Sequence, residues 1–256
     1  MLTALTRPLS PSIGQCELTF LPRQRIDLAL AEAQHAAYER HLIGQGARVV
    51  RLPAEADLPD AVFVEDTAVV LDEVAVITRM GAPSRRGESP SVERMLGRYR
   101  PLLRMQPPGT LDGGDVVRIG KTLYIGSSGR TNEEGLAQVR GFLEPFGYRI
   151  QPVAVRGCLH LKSACSYLGR DTLLANPDWV DPSVFGTPRV IEVAPSEPHG
   201  AGTLRIGDVL AVPDAFPLTR ARLQAHGFQT VSLELGELQK AEAGPTCLSI
   251  LFEAPG

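Results

Sequence analysis

The chain is predicted to fold as an α/β ring of five similar modules, one of them split between the two ends of the sequence. Two recurrences and one leftover lead there. The first recurrence is a two-strand pattern that returns four times: TAVVLDEVAVITR from Thr67, VVRIGKTLYIGSS from Val116, CSYLGRDTLLANP from Cys165 and TLRIGDVLAVPD from Thr203. The pairs Asp72-Glu73, Gly120-Lys121, Gly169-Arg170 and Gly207-Asp208 sit as turns between apolar or β-branched runs, which is hairpin chemistry. Their spacing, roughly 40 to 50 residues, suits repeats in arrays and propellers. The second recurrence is a helical stretch, a glycine stop and a strand: HLIGQGARVVRLP, FLEPFGYRIQPVAV and RLQAHGFQTVSLEL. Gly46, Gly147 and Gly227 fall where a helix C-cap needs positive φ. The leftover is an apolar segment at each end, Leu2 to Leu9 and Cys247 to Phe252. Pairing them completes a fifth module and closes the ring, which removes exposed sheet edges. Unrelated hairpins in an α+β sandwich are the alternative that the same turns allow.

Taken in order, the first long element is a helix from Arg25 to Ile43, where Ile26, Leu30, Ala33, Ala37 and His41 recur near a 3.6-residue period. That face is expected to lie on a sheet. Asp60 to Thr67, DAVFVEDT, leads into the first hairpin and carries Asp60, Glu65 and Asp66 beside Phe63. Carboxylates in a partly apolar cleft need cationic partners, because an unpaired buried charge is costly. A planar guanidinium suits them, since its N–H fork matches carboxylate oxygens; a solvated acidic loop is the competing reading. After the hairpins come Arg85, in GAPSRRGE, and Arg130, in SSGRTNEE. Arginine is the residue of choice for gripping a carboxylate with two parallel hydrogen bonds.

Between those loops stands TLDGGD, in which Asp112 precedes paired glycines that permit close approach of a ligand to the backbone. His160 follows in GCLHLKSACSY, between a turn and a hairpin strand, whereas His35, His41 and His226 read as structural and His199 stays unassigned. Last comes KAEAGPTCLSILF, which sets Cys247 at a loop-to-strand junction. The strand side can hold the thiol rigidly while the Gly244-Pro245 turn leaves its sulfur facing open space.

Composition removes several function classes. With 256 residues and 43% hydrophobic content the chain can bury a large core. The net charge is 26 − 29 = −3 with the signs interspersed, so no nucleic-acid or membrane footprint is expected and the partner is a small molecule. Four cysteines, Cys16, Cys158, Cys165 and Cys247, form no CxxC pair, and no basic segment followed by a long apolar run opens the sequence. Reduced thiols in a cytoplasm are expected. No apolar run nears the roughly 18 residues of a membrane span.

The chemistry-bearing residues converge on one idea. Cys247 with His160 and Asp112 has the makings of a nucleophile, an acid/base and the carboxylate that orients it. Carboxylates for one end of a ligand and arginines for the other describe a zwitterion with a cationic tail, such as arginine.

The motifs DAVFVEDTAVV, RMGAPSRR, TLDGGDV, RTN, HLKSACS and the Cys247 segment, in this order, resemble the dimethylarginine dimethylaminohydrolase family of the guanidine-modifying, or pentein, superfamily. The likeness runs along nearly the whole chain. It implies one catalytic domain over residues 1–256, a five-bladed α/β propeller of pseudo-fivefold symmetry built from ββαβ units. It also implies hydrolysis of N-methylated arginine to citrulline and methylamine or dimethylamine, with no metal or organic cofactor, and it allows a homodimer. By this resemblance Cys247 is the nucleophile, His160 the acid/base, and Asp112 holds the histidine or the guanidinium. The ligand-binding positions fall on Leu18, Asp60, Glu65, Asp66, Arg85, Arg130 and Ala241, with Leu18 and Ala241 acting through backbone atoms and Phe63 beside the carboxylates. On this reading Arg85 and Arg130 clamp the substrate carboxylate, and Asp60 with Glu65 holds its α-amine. An arginine deiminase or another amidino hydrolase would use the same chemical groups, and ribosome-binding factors use the same ring without catalysis. The length, with no helical insertion, favours the methylarginine reading.

Overall fold

The computed structural model describes residues 1–186 and 189–254. Its elements run in chain order as a sequence of small three-stranded sheets. Strand β1 (Leu2–Thr6), helix α1 (Leu28–Gly44) and β2 (Arg48–Arg51) open it. Then come β3 (Ala68–Val70), β4 (Ala75–Ile77), α2 (Ser89–Leu96) and β5 (Leu102–Arg104), followed by β6 (Val116–Ile119), β7 (Thr122–Ser127), α3 (Glu133–Leu143) and β8 (Arg149–Ala154). A single turn, α4 (Leu161–Ala164), precedes β9 (Cys165–Gly169), β10 (Thr172–Ala175) and β11 (Arg189–Glu192). The chain ends with β12 (Leu204–Ile206), β13 (Val209–Pro213), α5 (Pro217–Ala225), β14 (Gln229–Leu233), the turn α6 (Gly236–Gln239) and β15 (Ile250–Glu253).

Each sheet repeats one topology: two strands antiparallel as a hairpin, then a third parallel to the second. A parallel partner requires a crossover connection, which is where α1, α2, α3 and α5 lie. The fifth sheet takes its first strand from the far end of the chain: β15 pairs antiparallel with β1, and β1 parallel with β2. The split module is therefore real, and its two ends are tied by the Ala254 N–H donating to the Met1 carbonyl at 2.9 Å.

The strands are short, yet side chains on both faces are buried, and the two faces feed different cores. Val116 packs with Val69 of β3 and Val76 of β4, while its neighbour Val117 packs with Cys165 of β9 and Leu173 of β10. Likewise Leu173 faces one way and Leu174 the other, against Leu210 and Val212. Five clusters arise in this way, each at a junction between neighbouring blades, and Ala4 with Ala211 joins the last blade to the first. The strand period of two is what makes a ring from such sheets. First strands of all five blades surround an axial cavity of about 290 Å³, which Glu65, Lys162 and Thr246 reach at one end. This is a five-bladed α/β propeller. Among the described residues no helix is long and apolar enough to cross a membrane.

Several expectations need correction. The helix begins at Leu28 behind an Asp27 cap, and its buried face is Ala31, Gln34, His35, Tyr38, Glu39 and Leu42, whereas Leu30 is 45% exposed. Apolar periodicity misled because this face carries buried polar groups, several of them paired to distant residues. Tyr38 Oη bonds Ser249 Oγ at 2.6 Å, Glu39 accepts from Thr6 at 2.6 Å, and Gln34 accepts from the Glu237 N–H at 3.0 Å. The third hairpin turns at Arg170-Asp171, both at positive φ (51° and 49°), one residue beyond the expected tip. Cys247 lies in a turn three residues before β15 rather than at the strand's edge. Gly46, Gly147 and Gly227 do sit at positive φ, at 84°, 77° and 80°.

Candidate active site

The nucleophile candidate is fixed by its backbone. Its N–H donates to the Gly244 carbonyl at 3.2 Å, its carbonyl accepts from the Glu65 N–H at 3.3 Å, and its sulfur receives the Gly244 N–H at 3.4 Å. Of the four thiols Cys247 alone is not fully buried. Burial and the carboxylates of Glu65 and Asp66 push it up to about 12, against the pull of the Gly244 N–H and Lys162. The unliganded site therefore holds a neutral thiol at pH 7.

His160 caps the start of α4, opposite the glycines of TLDGGD. Its Nε2 lies 3.0 Å from Asp112 Oδ2 and its Nδ1 3.9 Å from Asp66 Oδ1. Burial opposes charge on the ring, but Asp66, Asp112 and Asp115 outweigh it and raise His160 to about 9. Asp66 shows the reciprocal effect: burial is overcome by His160 and Arg85, and it falls to about 2. The paired glycines serve this contact. A Cβ on Gly114 would lie 2.6 Å from His160 Nδ1, and one on Gly113 2.0 Å from the Glu65 carbonyl. It is the protein's own imidazole and backbone that need the space, where a ligand was expected.

Arg85 and Arg130, expected to act together, are in different states. Arg85 is buried, and its fork is spent on Glu88 at 3.0 and 2.9 Å, on Asp66 Oδ2 at 2.7 Å and on the Phe63 carbonyl at 3.1 Å. It braces Asp66 while lining the same void, so the two arginines are not equivalent and only Arg130 keeps a buried nitrogen without a hydrogen bond. Arg130 Nη1 is buried with no hydrogen-bond partner, 3.8 Å from Asp112 Oδ2. The carboxylates separate as well. Asp60, Asp66, Arg85, Arg130, Phe63 and Ala241 line a small void of about 20 Å³ together with Cys247 and His160. Asp60 is anchored there by the Glu17 N–H at 3.1 and 3.2 Å, and burial raises it above the usual carboxylate range. Leu18 is half-buried on the core cluster that includes Phe63 and Ala241. Glu65 lies elsewhere, ion-paired to Lys162 Nζ at 2.6 Å between the axial cavity and the Cys247 side. Asp60 and Glu65 therefore do not form one amine-binding pair.

Four functional neighbours escaped the sequence reading. Lys162 is two residues past His160 inside the quoted HLKSACS motif, and Glu88 is one helical step from Arg85. Asp115, the last residue of TLDGGD, is buried and accepts from Ser128, Thr131 and the Leu161 N–H, so it ties the loop after β7 to the start of α4 beside His160. Glu242 gathers the N–H groups of Thr19, Phe20 and Leu21, at 2.5 to 3.2 Å, and ties residues 17–21 over the site. Oxygens of Asp66 and Asp112 and a nitrogen of His160 meet within 4.8 Å, a spacing compatible with a metal. These atoms are already engaged, Asp66 by Arg85 and the Gly114 N–H, Asp112 by His160 and the Gly81 N–H.

A five-bladed ring with a cysteine, a histidine and buried carboxylates gathered at one end of its axis belongs to the guanidine-modifying α/β propellers. Comparison with known proteins narrows this. The family described as N,N dimethylarginine dimethylhydrolase, eukaryotic, matches residues 21–175. A protein of Streptomyces coelicolor named N(G),N(G)-dimethylarginine dimethylaminohydrolase is 40% identical over 249 residues, covering 96% of this chain and 95% of that protein. Its namesake from Pseudomonas aeruginosa is 35% identical over 228 residues, 88% of this chain and 90% of the relative. A crystal structure of the Pseudomonas aeruginosa enzyme, a cysteine-to-serine mutant complexed with citrulline, superposes with a TM-score of 0.93 at 32% identity over 98% of this chain and 100% of that one. The N-terminal domain of ArgZ, a cyanobacterial arginine dihydrolase, shares the fold with a TM-score of 0.85 at 18% identity, over 98% of each chain. The chain belongs to the dimethylarginine dimethylaminohydrolase family.

Proposed function

We propose that this protein hydrolyses Nω-methylated arginines to citrulline and methylamine or dimethylamine through a covalent thiouronium on Cys247. The observation that carries the reading is one void shared by Cys247, His160, Asp66, Asp60 and Arg130, whose Nη1 has no hydrogen-bond partner. An amino-acid carboxylate supplies what that nitrogen lacks, Asp60 faces the α-amine, and Asp66 faces the guanidinium.

The charges then assign the steps. His160, raised to about 9, is an imidazolium at neutral pH and is loaded as a general acid. The thiol at about 12 is not a nucleophile until a cation sits beside it, so the bound guanidinium must lower it. The thiol proton leaves to solvent as the guanidinium binds, and the thiolate attacks the guanidinium carbon, forming the C–S bond. Collapse expels the amine with the His160 proton and leaves the thiouronium. The now neutral imidazole takes a proton from water as the water oxygen adds to the same carbon, and cleavage of the C–S bond gives citrulline and frees the thiolate. Asp112 keeps the ring oriented through both halves.

Acid quench of the enzyme during turnover, followed by peptide mass analysis, tests this. The expected species is the Cys247 peptide carrying the substrate minus its amine; an adduct on another residue would refute the assignment.

A further inference from the structure

Cys247 and His160 line two spaces. One is the small void that holds Asp60, Asp66 and Arg130. The other is a chamber of about 260 Å³ walled by Phe20, Leu21, Leu159, Pro213, Phe216 and Ala243, with His199 against Trp179 at 4.8 Å between ring centres. Asp60 and Arg130 do not border the chamber. If the α-carboxylate is drawn to Arg130 and the α-amine to Asp60, which the void of about 20 Å³ admits only by widening, and the guanidinium carbon meets the Cys247 sulfur, the distal nitrogen and its substituents point past Cys247 and His160 into the chamber.

The chamber is oversized for the methylarginine reaction on which this inference rests. Dimethylamine has three heavy atoms, and a cavity needs only about 10–15 Å³ of such space to hold one water, so about 260 Å³ leaves room well beyond it. We propose that the chamber admits departing amines much bulkier than dimethylamine, so that the enzyme also hydrolyses Nω-alkyl and Nω-arylalkyl arginines to citrulline and the matching primary amine. The bonds are those of the methyl reaction. Cys247 forms the C–S bond, the C–N bond to the substituted nitrogen breaks, His160 supplies the amine's proton, and water releases citrulline. An apolar wall favours a longer alkyl chain, each buried methylene contributing up to roughly fourfold in kcat/KM.

Gly202 offers a clean probe. It borders the chamber, has no left-handed φ, and a Cβ there would meet only the Lys162 carbonyl, at 3.8 Å. Citrulline release is measured for Nω-methyl-, propyl-, butyl- and benzyl-arginine with wild type, Gly202→Leu and, at the exposed rim, Ala215→Phe. The expected result is kcat/KM for the butyl and benzyl substrates within about tenfold of the methyl one in wild type, and a selective loss of about tenfold or more for the bulky pair in both variants. Methylarginine turned over while the butyl substrate is more than a hundredfold poorer overturns the inference and leaves the methylarginine reading standing. Variants that slow all four substrates equally overturn it too. No citrulline from any of the four removes both readings.

Discussion

His160 and Cys247 face each other with opposite displacements, the imidazole held charged to about 9 and the thiol held neutral to about 12. kcat is therefore expected to fall as pH rises through about 9, where the acid is lost; a rate that keeps climbing past pH 10 contradicts this. Stability carries the same sign. The folded-state value of His160 lies above the ordinary 6.5, so its contribution is complete below pH 6.5 and is lost as pH rises through about 9. His160→Gln should flatten the decline in Tm over that window. Cys247→Ser is expected to abolish turnover yet still bind citrulline, whereas Cys16, Cys158 and Cys165 tolerate Ala with packing costs of about 1 to 3 kcal/mol. The two arginines divide by their partners. Arg85→Ala leaves Glu88 buried without its ion-pair partner and Asp66 with only the more distant His160, an expected loss of about 3 to 5 kcal/mol in urea denaturation. Arg130→Ala should instead leave stability intact and raise KM for methylarginine while sparing agmatine, which has no carboxylate. If Arg85→Ala proves as stable as wild type and only raises KM, the two arginines act alike as a clamp.

Residues 17–21 carry no regular structure, yet they border both spaces through Glu17, Phe20 and Leu21. Their order comes from two carboxylates, Asp60 under the Glu17 N–H and Glu242 under the next turn of the strap. Glu242 holds its position at a φ of 59°, a conformation that disfavours any side chain, which shows how firmly its contacts fix it. Glu242→Ala is expected to raise KM by about tenfold, consistent with loss of two or more charge-assisted bonds. Trypsin should then cut faster after Arg23 and Arg25, and Glu242→Asp should recover part of the protection. Unchanged proteolysis with unchanged KM would show that the strap stands without the latch.

At the scale of the whole molecule the ring closes through the pairing of β1 with β15 and β2, so deleting residues 1–6 removes the middle strand of one blade. Loss of a cooperative thermal transition is the expected outcome; a normal Tm would mean that the split blade is dispensable. This architecture was legible because it rests on local signals: four turns, three glycines at positive φ and two unpaired ends. Members of the site could be gathered from the motifs: Cys247 and His160 border one void with Asp66, while Asp112 stands behind the void, bonded to His160. What could not be read was how charges pair across blades. Nothing local says that Arg85 spends its fork on Glu88, or that Lys162 draws Glu65 away from Asp60, because such choices are made by tertiary distance. The same holds for α1, where Tyr38 and Glu39 are buried through partners 211 and 33 residues away. The most direct test of the central claim is side-by-side release of citrulline and amine from asymmetric dimethylarginine, monomethylarginine, arginine and agmatine. Equimolar citrulline and dimethylamine or methylamine from the methylated pair, abolished by Cys247→Ser, is the predicted result; ammonia from arginine or agmatine at equal or greater rate would contradict it.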